Sequence, residues 1–91
     1  MNVITISGQQ GSGKTTTLQT LVPTQEHHLV GGPETSANLI RREVERMASK
    51  GITAIAIDEA TPDLVRKLKR IDQDVFPALR VYVTVDDRWQ L

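Results

Sequence analysis

ISGQQGSGKTTT, residues 6–17, decides how the rest of the chain is read. Within it GQQGSGKT, residues 8–15, satisfies G-x-x-x-x-G-K-[ST] at every fixed position: Gly8, Gly13, Lys14 and Thr15. Average residue usage makes a chance match in 91 residues a matter of a few per thousand, on the order of magnitude. The residue types suit one task, which is holding phosphate. Gly8, Gly11 and Gly13 let backbone N–H groups turn inward and approach phosphate oxygens closely. A helix opening near Gly13 aims its positive dipole end at the same oxygens. In such a loop Lys14 can reach the β- and γ-phosphates, and the Thr15 hydroxyl can ligate magnesium. Gln9, Gln10, Ser12 and Thr16 complete the nucleotide-binding run. The bland alternative is a glycine-rich turn beside a solvated lysine, and the flanking sequence weighs against it.

That flanking sequence alternates strands and helices. NVITIS (2–7) is β-branched and nearly continuously apolar, as in a strand covered on both faces. GKTTTLQTLV (13–22) reads as a helix stopped by Pro23. HHLV (27–30) is a short strand closed by Gly31, Gly32 and Pro33. From about 34 to 50, Ile40, Val44, Met47 and Ala48 recur at helical spacing, with Gly51 placed as a C-terminal cap. ITAIAID (52–58) is a second buried-strand pattern. Thr61 and Pro62 form a helix start, followed by a stripe of Leu64, Val65, Leu68 and Ile71. LRVYVTV (79–85) is the last strand. The order β-α-β-α-β-α-β predicts an α/β fold: a mostly parallel four-stranded sheet between two helical layers, joined by right-handed crossovers. Residues 1–91 read as one minimal domain.

Composition narrows the classes further. Eleven basic residues balance eleven acidic ones, so no net field draws the chain to nucleic acid or anionic lipid. A local basic patch is compatible with that balance. There is no cysteine, which removes disulfides, thiolate metal sites and thiol catalysis and fits a cytoplasmic setting. No apolar run approaches the roughly 20 residues that span a bilayer. The aromatics are Phe76, Tyr82 and Trp89, too few for base-stacking platforms.

With the loop and these alternating elements in place, the chain resembles a P-loop nucleoside triphosphatase. AIAIDE (54–59) is similar to the Walker B strand of that superfamily. The resemblance implies Asp58 as a magnesium residue together with Thr15. Glu59, at the next position, is similar to the catalytic glutamate of the division that includes the AAA+ and RecA-like proteins. There it would orient and polarise the attacking water, with Lys14 supporting catalysis at the γ-phosphate. The same division places a polar γ-phosphate sensor near the end of a following strand, which points to Thr84 and, beside it, Asp86. It also implies the strand order 1-4-3-2; a rival order sets the Walker B strand directly beside the loop strand. Acidic strand ends and β-branched strand residues also occur without function, so Asp58, Glu59 and Thr84 draw their weight from the loop.

The resemblance implies Mg²⁺ as cofactor, ATP as ligand and substrate, and slow hydrolysis coupled to a partner. No [NT]-K-x-D motif and no arginine-rich lid segment occurs, which disfavours Ras-like GTPases and small-molecule kinases. Nothing visible reads a purine ring, and no arginine is singled out as a finger. In the 1-4-3-2 order NVITIS lies at an open sheet edge, which predicts a homodimer or a protein partner there. The basic clusters Arg41, Arg42, Arg46 and Arg66, Lys67, Lys69, Arg70 read first as solvated helix faces, and second as contacts to nucleic acid or an acidic partner. Two rival functions remain: a nucleotide-dependent binding module with little turnover, and a small phosphotransferase. So compact a unit also resembles accessory proteins of phages and mobile elements.

Overall fold

The apolar runs become four strands and the periodic runs three helices, in the computed structural model of residues 1–8, 14–31, 36–71 and 74–86. The side chains of Ser7, Lys14, Thr15 and Asp86 lie outside the described part. The elements are β1 (Asn2–Gly8), α1 (Lys14–Leu21), β2 (His28–Val30), α2 (Ala37–Ser49), β3 (Ala54–Asp58), α3 (Pro62–Lys69) and β4 (Arg80–Asp86). A 3₁₀ turn, Gln25–His27, precedes β2. All strand pairs are parallel and the sheet order is β1-β4-β3-β2. The predicted order 1-4-3-2 is therefore the one formed.

Right-handed crossovers explain the three layers. The step from β1 to β2 crosses the sheet in one direction, and the steps to β3 and β4 return. α1 therefore packs on one face, and α2 and α3 on the other. The larger core lies under α2 and α3, where Ile55, Ile57, Val81 and Val83 meet Val44, Leu64, Val65 and Leu68. The opposite face is thinner: Leu18 and Val22 cover Ala56, with Ile6, Ala54 and Tyr82 partly buried beside them. α1 is rich in threonine, whose β-branching disfavours helix, so this short helix relies on docking through those two side chains.

Local signals at the helix ends behave as the sequence predicts. Thr61 Oγ1 accepts the Leu64 N–H at 3.3 Å, and Pro62 opens α3. Gly51 follows α2 at φ +91°, where a side chain would be strained although the space around it is open. The boundaries shift by a few residues. β3 begins at Ala54 and not at Ile52, whose N–H is committed to the Met47 carbonyl at the end of α2 at 3.2 Å. Helix α2 begins at Ala37 behind Ser36, later than position 34. Among the described residues no helix is long and apolar enough to cross a membrane.

Candidate functional site

The carboxyl ends of β1, β4 and β3 converge at one end of the sheet. Register pairs Gly8 with Asp86, Ile6 with Thr84, and Ile57 with Val83, so Asp58 comes level with Thr84. The chain leaves β1 toward the α1 face and leaves β3 toward the opposite face. In open α/β sheets such a divergence forms the crevice in which ligands bind. β1 ends at Gly8 and α1 starts at Lys14, so the motif of residues 8–15 bridges a strand end and a helix start. Its central residues Gln9, Gln10, Gly11, Ser12 and Gly13 lie outside the described residues, as do the side chains of Lys14, Thr15 and Asp86. Thr16 is exposed, and its carbonyl accepts the Thr20 hydroxyl at 3.1 Å.

Asp58, Glu59 and Thr84 are brought together in one hydrogen-bonded knot. The Thr84 hydroxyl donates to Asp58 Oδ1 at 2.6 Å. The same hydroxyl oxygen accepts the Glu59 N–H at 2.9 Å, and that N–H also reaches Asp58 Oδ1 at 3.0 Å. The Ala60 N–H donates to the Thr84 carbonyl at 2.8 Å. Thr84 is 1% exposed, so its hydroxyl makes its bonds partly shielded from water, where a polar group left unmatched is costly. Alternation along the strands puts Asp58 and Thr84 on the α1 face with Ala56 and Tyr82.

The turn after β3 carries backbone strain. Glu59 sits at φ +58°, a left-handed conformation that disfavours any side chain, yet it is not glycine. Its N–H bonds to Asp58 and Thr84 hold it there, with its side chain exposed at the sheet end. Strain of this kind persists only where surrounding bonds over-determine it, and it clusters at functional sites.

Two contributors were not singled out by the sequence. Gly31, read only as a strand stop, is buried and donates its N–H to the Asp58 carbonyl at 2.8 Å. A Cβ there would lie 3.1 Å from side-chain atoms of Ile57 and Leu64 and 3.2 Å from the Ala60 Cα. Glycine thus lets the chain after β2 press against the turn that carries Glu59. His28, at the start of β2, bonds the Val22 carbonyl just after α1 through its Nε2. A Gly-Gly pair after a short strand was the available signal for the first. The second depends on how β2 packs beside the end of α1, a tertiary contact that no local pattern encodes.

The donor chemistry fits magnesium. Asp58 is half-buried, and its Oδ1 is already oriented by an O–H and an N–H. Magnesium takes one or two carboxylates and fills its octahedron with water and phosphate oxygens. No cluster of three or more His, Cys, Asp or Glu occurs among the described residues, so a cation caged by protein side chains alone does not fit them. No protein-family model matches the chain, and neither does any curated protein or solved structure, so function has to be drawn from these residues and their geometry.

Proposed function

We propose that the chain is a minimal P-loop nucleoside triphosphatase of the catalytic-glutamate kind, which binds ATP with Mg²⁺ and hydrolyses it slowly in the cytoplasm. One observation carries this proposal. The G-x-x-x-x-G-K-T run links the end of β1 to the start of α1, two strand positions from a strand-end carboxylate held by Thr84. Gly8, Gly11 and Gly13 present backbone N–H groups to the phosphates, and Lys14 neutralises charge at the β- and γ-positions. Thr15 and Asp58 hold the magnesium ion, which supplies charge neutralisation on the phosphate oxygens when bound. Glu59 orients a water for in-line attack on the γ-phosphorus and accepts its proton as the bond to the β–γ bridging oxygen breaks. Fixed donors carry most of the rate effect, because their dipoles need no reorganisation during reaction.

Phosphate release from Mg·ATP is the test, and Glu59→Gln separates the proposal from its main rival. A binding module that uses ATP only to switch partner affinity keeps its function in that variant. A phosphotransferase would instead move the γ-phosphoryl group to an added hydroxyl acceptor.

The same reading gives β1 a partner, and a second copy of this chain suits it. Among the described residues β1 pairs only with β4, and Ile4 is 39% exposed. Asn2–Gly8 contains no charge and no proline, the usual guards of an edge strand. Antiparallel pairing about Thr5 sets Ile4 opposite Ile6 of the partner and Val3 opposite Ser7 of the partner, with no like charges in contact. Light scattering should give twice the 10.1 kDa of one chain, and Ile4→Lys should return the single-chain mass. A single-chain mass for the unaltered protein at working concentration would count against this interface.

A further inference from the structure

The basic residues are not spread over the molecule. Helix α2 carries Arg41, Arg42 and Arg46, with Lys50 as its C-cap. Helix α3 carries Arg66, Lys67 and Lys69, with Arg70 as its C-cap. These two helices therefore hold eight of the eleven basic residues, against three acids, Glu43, Glu45 and Asp63. Eight against three is a net of +5, and because the chain is neutral the remainder carries −5. α2 and α3 are neighbours in one layer: they share the larger core, and Lys67 Nζ donates to Asn38 Oδ1 at 3.2 Å between them.

Internal pairing uses only part of this charge. Arg41 pairs with Glu45 at 3.1 Å, Arg46 pairs with Glu43, and Lys67 lies 3.6 Å from Asp63. The hydrogen bond from the Arg46 guanidinium holds the Glu43 carboxyl below its ordinary range, as expected of a charge committed to that pair. Arg42, Lys50, Arg66, Lys69 and Arg70 are exposed and have no ion-pair partner among the described residues. Complementing the helix dipole explains a cation or two in a last turn. It does not explain Arg42, which sits in the middle of α2, or five unmatched cations in one layer.

We propose that the outer face of α2 and α3 binds the phosphate backbone of double-stranded nucleic acid, without reading sequence. Chemistry selects this partner over others. Insertion into a membrane surface needs an apolar helix face, and tight protein interfaces centre on buried aromatic anchors. These helices have no aromatic residue, and their exposed large apolar side chain is Leu39 alone. Stacking on single strands likewise needs aromatics. Phosphate neutralisation needs only cations that release counterions. This face lies on the side of the sheet opposite α1, and binding at it does not depend on nucleotide hydrolysis.

The test is fluorescence anisotropy of a labelled 20-base-pair DNA duplex of arbitrary sequence, titrated with the whole chain without nucleotide. With about four phosphates neutralised, log K should fall with log salt at a slope of about −3 to −4. Arg66→Gln combined with Arg70→Gln should weaken binding at least tenfold in 50 mM salt and flatten the slope by about 2. Both positions are exposed, so the melting midpoint of that variant should stay with the parent. Lys14→Ala should bind the duplex as the parent does. Absence of binding in 50 mM salt would overturn the proposal. So would loss of binding in Lys14→Ala, insensitivity to the double substitution, or equal affinity for poly-L-glutamate of matched charge, which would mark the face as one for acidic protein.

Discussion

Glu59→Gln is expected to lower phosphate release from Mg·ATP by about 10²- to 10⁴-fold while leaving nucleotide affinity nearly unchanged. Gln keeps the shape of the side chain and the left-handed backbone of the position, so only the proton-accepting carboxylate is lost. The phosphates are held by other groups, the loop amides and Lys14, which the substitution does not touch. Glu59→Gly should separate chemistry from strain at the same place. It removes a left-handed side chain whose cost is about 1–2 kcal/mol, against the added flexibility glycine gives the unfolded chain. That variant should be inactive and yet no less stable than the parent at φ +58°. Turnover by Glu59→Gln at the parental rate would remove Glu59 from catalysis and leave the binding-module alternative standing.

Thr84→Val is expected to damage both stability and magnesium-dependent binding. The hydroxyl is the donor to Asp58 Oδ1 and an acceptor for the Glu59 N–H, within a residue 1% exposed. Valine preserves the branched shape but takes a partner from the half-buried Asp58 carboxylate and from the Glu59 N–H, at a cost of about 1–3 kcal/mol. For a domain this small, that lowers the melting midpoint by roughly 5–15 °C. Thr84→Ser keeps the hydroxyl and loses one methyl, for about 1 kcal/mol. It should recover most of the magnesium-dependent nucleotide affinity while remaining less stable than the parent. A Thr84→Val protein that melts with the parent would mean the hydroxyl holds neither Asp58 nor the Glu59 turn.

The strands and most helix ends were legible because they rest on strong local signals, whereas the strand order 1-4-3-2 followed only from the resemblance to the catalytic-glutamate division. Buried strands announce themselves as continuous apolar runs, Thr61 and Pro62 mark a helix start, and Gly51 marks a positive φ. The candidate acids were legible as a motif, and Asp58 and Thr84 do meet. What the motif does not contain is how they meet. The shared hydroxyl depends on β3 and β4 being level at Ile57 and Val83, a matter of register between strands 26 residues apart at these two side chains. The left-handed turn at Glu59 has no glycine or asparagine to announce it, because tertiary hydrogen bonds impose it. Phe76 is also left-handed, at φ +52°, and packs against the core without a glycine or asparagine to announce the turn. Gly31 was visible as a chain stop, while its close approach to Ala60 needed the packed turn. The 3₁₀ turn at Gln25–His27 has no capping side chain and left no pattern to find.

The most direct measurement of the central claim is thermal unfolding of the parent chain and of Lys14→Ala, each with and without saturating Mg·ATP and Mg·GTP. Nucleotide at a hundredfold over Kd should stabilise the folded state by about 2.7 kcal/mol. In a domain of this size that raises the midpoint by on the order of 10 °C. The account predicts that rise for the parent, its dependence on magnesium, and its disappearance in Lys14→Ala. A parent midpoint that moves with neither nucleotide, or a rise of equal size in Lys14→Ala, would contradict the assignment of residues 8–15 as a phosphate-binding loop.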